Sequence, residues 1–340
     1  FGITLNLRHP KGVELFKRLV KISDIVAENF TPRVMRNFGL DYPVLREVNP
    51  RIIMISLPAN GETGPWSDYV GFAASIEQMA GIPQLTGYPD DPPKMSSAGF
   101  TDPIAGATGA VAVMTALLYR QMTGIGQYID LSQVEASTSL IGDAIVDCTM
   151  NKRIQPRRGN QHPFVAPHGC YRCKGEDQWV DLAVYSDEEW RKFCHIIGNP
   201  ALADDKRFAD SIRRWQNREE LDSLVEAWTV QHEHYEVMHI LQKAGIAAGA
   251  VLSSVELLND PHLKERGTFQ VLERAVVGTH PYPVPSALMK LSGVTSRLEH
   301  PAPTLGQHNE YVLGELLGLS QDEIKTLAEE EVIGTKPLGV

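Results

Sequence analysis

Asp102 and Pro103 stand at the head of a stretch, Ile104 to Tyr119, that carries no charge and no further proline. Aspartate is a favoured helix N-cap and proline is pre-set for the first helical position, so the pair marks a helix start. The run is too long for a buried strand and is interrupted by Gly106, Thr108, Gly109 and Thr115. It is also shorter and softer than the roughly 20 strongly apolar residues of a membrane span. The expectation is a buried helix, packed closely through its small residues and capped by Asp102. A carboxylate at the positive end of a helix is favoured as an anion, which is the state a carboxylate nucleophile requires. On local chemistry alone, cap and nucleophile remain alternatives.

Other residues with chemical potential are more scattered. Glu28-Asn29-Phe30-Thr31-Pro32 follows a short apolar run, at the carboxyl end of a strand where open α/β sheets bind ligands. Arg8, Lys11, Arg33 and Arg36 give a basic group in an acidic chain. Cys170 and Cys173 lie near His162, His168 and His195, but no second ligand pair stands at the spacing a structural zinc site needs, so no metal is expected. No Gly-x-Gly-x-x-Gly fingerprint follows a strand, which argues against a dinucleotide dehydrogenase.

The elements that must position these residues alternate. Phe1 to Arg8 reads as a strand, residues 12–22 as an amphipathic helix, and 24–27 as a short strand. Helices are expected over 33–37 and 42–48. Ile52 to Leu57 is a continuous apolar strand suited to burial on both faces. A helix near 72–80 and a Pro-rich connection deliver the chain to Asp102, and a strand over 127–131 follows the long helix. Ser132 and Glu135 form a capping box opening a helix to about Met150. Strands alternating with helices imply a parallel, doubly wound sheet. Beyond a linker at 151–169, a strand at 179–184 and helices near 187–197, 218–231 and 235–244 read as a small α+β domain. Helical patterns recur at 309–317 and 321–331.

A chain of 340 residues with net charge −10 has room for two domains and is a poor partner for nucleic acid or an anionic membrane surface. Four cysteines are too few for a disulfide scaffold in so long a chain, so a cytoplasmic location is expected.

Several segments together resemble one family, the class III CoA-transferases, which include formyl-CoA and carnitine CoA-transferases and the related α-methylacyl-CoA racemases. The matching segments are Leu5 to Arg8, Ala27 to Pro32, Asn49 to Arg51, Gly64-Pro65, the run from Pro92 to Asp102, and Thr123 to Gln127. Later segments are Gly245 to Leu252, Asp260 to Leu263 and Leu305 to His308. The resemblance implies a Rossmann-like large domain at 1–155 and 285–340, with linkers and a small α+β domain at 156–284. It also implies an interlocked homodimer. A leading βα unit of the usual domain does not precede Phe1, so weak CoA binding or self-association is expected of the sequence as it stands.

In such enzymes the nucleophile falls on Asp102, which forms an aspartyl-CoA thioester as CoA passes from an acyl-CoA to a small carboxylic acid. CoA and acyl-CoA are substrates and no cofactor is held permanently. CoA contacts map to Leu5, Asn6, Leu7 and Arg8, to Asn29, Phe30 and Thr31, to Arg36, and to Val70, Gly71, Phe72 and Ala73. Three departures stand out. Asn37 occupies a position where relatives often carry arginine, leaving Arg36 to hold phosphate. Ala73 replaces a glutamate of some transferases, and residues 155–170 lack their glycine-rich lid. Phe72 occupies the racemases' catalytic histidine position, and phenylalanine cannot move a proton. The expected function is therefore CoA transfer; an acyl-CoA isomerase or racemase of the same fold, or a non-catalytic CoA-binding subunit, is the alternative.

Overall fold

A computed structural model describes residues 1–96, 99–274, 276–284, 289–294 and 297–337. The chain divides into two compact units, one of Phe1–Arg157 with Ala302–Val340 and the other of Arg158–Pro301.

The first unit is built on a parallel three-stranded sheet: β1 (Ile25–Glu28), β2 (Ile53–Ser56) in the centre, and β3 (Tyr128–Asp130). Ile25 pairs with Ile53, and Ile55 with Ile129. Every residue of β2 is buried, and alternate side chains serve opposite faces. Met54 packs with Val20, Met35 and Leu45, contributed by α1 (Pro10–Ile22), α2 (Arg33–Asn37) and α3 (Tyr42–Val48). Ile55 packs on the other side with Ala105 and Leu131. A sheet covered on both faces by helices is the doubly wound arrangement that the alternating pattern implied.

Between β2 and β3 lie α4 (Ala73–Met79), a short α5 (Ile82–Leu85) and the long α6 (Thr101–Thr123). The small residues of α6 do face the sheet: a Cβ on Gly109 would stand 3.1 Å from Leu57 and 3.2 Å from Ile55. The expectation of a buried helix is nevertheless corrected. Thr101, Ala105, Gly109 and Ala116 are buried, whereas Val111, Met114, Leu118 and Met122 are exposed. Uncharged sequence says nothing about how many faces are covered, and in this unit only one is. Among the described residues α6 is the one helix long and apolar enough to cross a membrane, but its closely packed stripe lies on the sheet.

The segment before α1 joins no sheet among the described residues and ends in a turn at Leu7 and Arg8, against the strand expected there. Its polar groups are spent on the C-terminal part of the same unit. Gly2 and His308 exchange two hydrogen bonds of 2.9 Å, the Thr4 amide donates to Asn309 Oδ1, and the Asn6 amide donates to the Val332 carbonyl. His9 caps α1 by accepting from the Lys11 amide at 3.2 Å. After β3 the capping box is only half formed: Ser132 Oγ accepts from the Glu135 amide. The helix expected to run on to Met150 breaks into α7 (Gln133–Thr138) and α8 (Gly142–Asn151), joined by a 3₁₀ turn.

The second unit contains an antiparallel sheet of β4 (His168–Arg172), β5 (Trp179–Ala183) and β6 (Ala247–Ala250), with β5 central. Its core joins this sheet to α9 (Asp187–Ile196), α11 (Arg218–Thr229) and α12 (His234–Lys243) through Trp190, Phe193, Leu221, Val225 and Leu241, with α10 (Ser211–Gln216) alongside. Cys173 and Cys194 are core thiols, pushed up to about 11 and about 12 by burial. The short helices α13 (Ser254–Asn259) and α14 (Pro261–Glu265) precede a hairpin of β7 (Phe269–Arg274) and β8 (Gly278–Pro283). The Gln270 carboxamide exchanges two hydrogen bonds with the backbone of Leu298. The first unit resumes at Ala302. There a π-helical turn, Tyr311–Leu316, and α15 (Gln321–Glu329) pack with Leu15.

Candidate active site

Asp102 sits in the first turn of α6 as its second residue, and Phe100 holds the cap position. Among the described residues the Asp102 side chain makes no hydrogen bond, and Phe100 stands at the cap, so the cap assigned to Asp102 from sequence is corrected. Its amide donates to the Gly99 carbonyl at 3.2 Å, while the carboxylate is exposed at a helix end whose field favours an anion.

That carboxylate lines a cavity of about 310 Å³ at the carboxyl edge of the parallel sheet. Glu28 closes β1, Leu57 follows β2 and Gln133 follows β3, and all three share the cavity with Asp102, Asn29 and Ala105. The edge is where three strands end and the N-terminus of a helix converges, the usual ligand position of open α/β sheets. The Glu28 carboxylate accepts from the Phe30 amide at 2.8 Å, folding the turn that presents Asn29. The Asn29 carboxamide makes no hydrogen bond among the described residues.

A second piece of the site comes from the entrance to α4. Val70 and Phe72 are exposed, while Gly71 is pressed on the core so closely that a Cβ there would stand 2.4 Å from that of Ala59. Ser75 Oγ accepts from the Phe72 amide at 2.9 Å and starts the helix. Ala73 lies 3.4 Å from the Cβ position of Gly99, whose other neighbour is Asp102 Oδ2. One turn further along α4, the fully buried Glu77 accepts from the Ser96 amide at 2.7 Å. Helix α4 thus holds the segment that delivers Asp102.

The remaining expected contacts fall elsewhere in the unit. Arg36 lines a separate cavity of about 310 Å³ with Tyr42, Glu62 and Tyr128, its Nη2 3.8 Å from Glu62 Oε2. Burial, then Glu28 and Asp130, push the Glu62 carboxyl up, while Arg36 opposes them. Burial also raises the Tyr128 phenol to about 12. Leu5 packs against the cluster of Leu15, Leu313 and Val332, and Leu7 against that of Val20 and Met35. Asn6 Oδ1 accepts from the Arg8 amide and its Nδ2 donates to the Glu331 carbonyl. Arg8 is exposed and makes no ion pair among the described residues, whereas Lys11 is paired with Glu330. Thr31 accepts from the Val34 amide, and Phe30 is half exposed.

The site residue that sequence reading missed is Gln133. Its signal, a glutamine at the first position of the helix that follows a strand, was read only as part of a helix start.

A family profile described as CoA-transferase family III matches residues 1–309. The chain is 32% identical over 337 residues to the succinyl-CoA–D-citramalate CoA-transferase of Chloroflexus aurantiacus, covering 98% of this chain and 82% of that one. It is 31% identical over 315 residues to the succinate–glutarate CoA-transferase of Agrobacterium fabrum, covering 93% and 78%. Among solved structures, a CAIB/BAIF family protein from Brucella suis superposes with a TM-score of 0.83 at 31% identity, covering 92% of this chain and 81% of that one.

Proposed function

The chain belongs to CoA-transferase family III, and from that premise we propose that it moves CoA from an acyl-CoA to a small carboxylic acid through Asp102. The observation that carries the reading is an exposed carboxylate with no side-chain hydrogen bond among the described residues, set in the first turn of α6 and sharing a cavity with Asn29.

Asp102 attacks the thioester carbonyl and the C–S bond breaks, giving a mixed anhydride and CoA thiolate. The thiolate attacks the Asp102 carbonyl and expels the first acid as its carboxylate, leaving an aspartyl-CoA thioester. An incoming carboxylate displaces the thiolate to form a new anhydride. Thiolate attack on the incoming acyl carbonyl then releases the new acyl-CoA and regenerates Asp102. Each step exchanges one nucleophile for another, so no net proton is consumed. Covalent capture splits one difficult exchange into easier ones.

In this reading CoA runs along the Asn29-Phe30-Thr31 turn and the Val70-Gly71-Phe72-Ala73 segment. Arg8 and Arg36 supply positive charge for phosphate, Leu5 and Leu7 offer backbone groups because their side chains are spent on packing, and Asn6, whose amide and carbonyl are bonded to Val332 and His9, shapes the turn that presents Arg8. The named relatives act on small acids, and a small acid is proposed here too. The working form is an interlocked homodimer in the cytoplasm.

Incubation with an acyl-CoA panel that includes succinyl-CoA should leave a hydroxylamine-sensitive adduct on the peptide containing Asp102. Asp102→Asn should fold and lose transfer. Undiminished turnover by that variant refutes the assignment.

A further inference from the structure

Gln133 is 7% exposed and lines the cavity that holds Asp102. Its backbone amide donates to the Pro58 carbonyl at 3.2 Å, and its Nε2 donates to the Leu57 carbonyl at 2.6 Å. The second bond fixes the orientation of the carboxamide, since the reverse would press two oxygens together. The other end, Oε1, is enclosed and has no donor among the described residues. An acceptor stripped of water and left unpaired costs free energy, and such a group in a folded protein needs an explanation. Ala27, Leu57, Ala105 and Gly106 bring no side-chain donor to the cavity, Asp102 and Glu28 are acceptors, and the one lining side chain with a free donor, the Asn29 carboxamide, does not bond Oε1. That leaves Oε1 open to a donor carried by a ligand.

We infer that Gln133 is a positioning residue whose Oε1 accepts the amide N–H nearest the thiol in the pantetheine arm. The inference rests on the CoA-transfer reading above. That N–H lies two carbons from the sulfur in the entering acyl-CoA, in the aspartyl-CoA thioester and in the leaving acyl-CoA alike. A bond to it serves every step and fixes the sulfur relative to Asp102. No donor on the carboxylic acids is constant in this way, because one acid leaves before the other enters.

The test compares the best acyl-CoA donor of the panel with its analogue in which that amide nitrogen is replaced by oxygen. One hydrogen bond of ordinary strength predicts that wild-type kcat/KM falls by roughly fivefold to tenfold on the replacement. Gln133→Leu should show a similar loss with the natural donor and no further loss with the analogue. Thermal melts of the two proteins report folding separately. A wild-type enzyme indifferent to the replacement overturns the inference whatever the variant does. So does an equal loss by Gln133→Leu with both donors, or a loss that appears only with hydroxyl-bearing acceptor acids, which would make the acid the partner. If the wild type transfers no CoA, or Asp102→Asn transfers it normally, the underlying reading fails instead.

Discussion

A Cβ placed on Gly99 would stand 3.3 Å from Asp102 Oδ2 and 3.4 Å from the Cβ of Ala73. Gly99 also holds φ at +89°, a conformation that other residues adopt only under strain. The glycine is therefore the spacer between α4 and the candidate nucleophile. Gly99→Ala should cost about 1–2 kcal/mol of stability from the backbone alone. Turnover should also fall, by less than the roughly hundredfold of a 1 Å misplacement, because the carboxylate need give by only a few tenths of an ångström. Kinetics beside thermal unfolding separate the two effects. Full activity in this variant would show that Asp102 is not held through Gly99.

Phe72 is 77% exposed and has no group that can carry a proton. Position 72 therefore supplies neither an acid nor a base for α-proton exchange. No solvent deuterium should enter the α-position of a 2-methylacyl-CoA during turnover, as read by mass spectrometry. Rapid incorporation would move the assignment from transfer to isomerisation.

Sequence reading succeeded where one residue type controls local conformation and failed where burial is set by distant contacts. Boundaries of α2 and α3 were legible because Pro32 and Asp41-Tyr42-Pro43 punctuate them and the intervening apolar residues keep helical spacing. β2 was legible because Ile53, Met54 and Ile55 are apolar on both faces, which only a covered parallel strand uses. The segment from Phe1 to Arg8 alternates like a strand, yet its partners are His308, Asn309 and Val332, some 300 residues away. No local pattern announces such a partner. Asp102 was found as a chemical group but misplaced as a cap, since Phe100, a poor cap type, starts the helix instead. Gln133 escaped because its chemistry lies in an unpaired atom, and pairing is a property of three-dimensional neighbours.

Asp147 near the end of α8 accepts 2.7 and 2.8 Å hydrogen bonds from Arg153 and Asn151. Those bonds, Arg153 first, hold its carboxyl down at about 2. The folded value lies below the usual carboxylate range, so the contribution to stability is present above about pH 4 and is lost as pH falls toward 2. Thermal unfolding followed from pH 6 to pH 2 should show a decline that Arg153→Gln partly removes. A variant whose pH profile parallels the wild type would dismiss this pair as a source of acid sensitivity.

Arg214 in the second unit is fully buried, and its surroundings say what it does there. Its Nε donates to the Ala166 carbonyl at 3.2 Å and its Nη1 to the Phe208 carbonyl at 3.3 Å. Nη2 lies 2.9 Å from Asp187, and the guanidinium stacks 5.6 Å from the ring centre of Trp190. The fork thus joins the start of β4, the loop before α10 and the first turn of α9. Removing it leaves two buried carbonyls without donors and a cavity beside Trp190, so Arg214→Ala should cost about 3–5 kcal/mol. Asp187 is 49% exposed, and water screens and replaces it. Asp187→Ala should therefore cost only about 1–2 kcal/mol, the buried cation keeping both carbonyls and the Trp190 face. In the double variant the Asp187 change should add almost nothing, because its partner is gone. Urea unfolding of the four proteins, followed by tryptophan fluorescence, measures all three quantities. Equal losses from the two single variants would mean that the ion pair, rather than the backbone carbonyls, is what Arg214 supplies to the core.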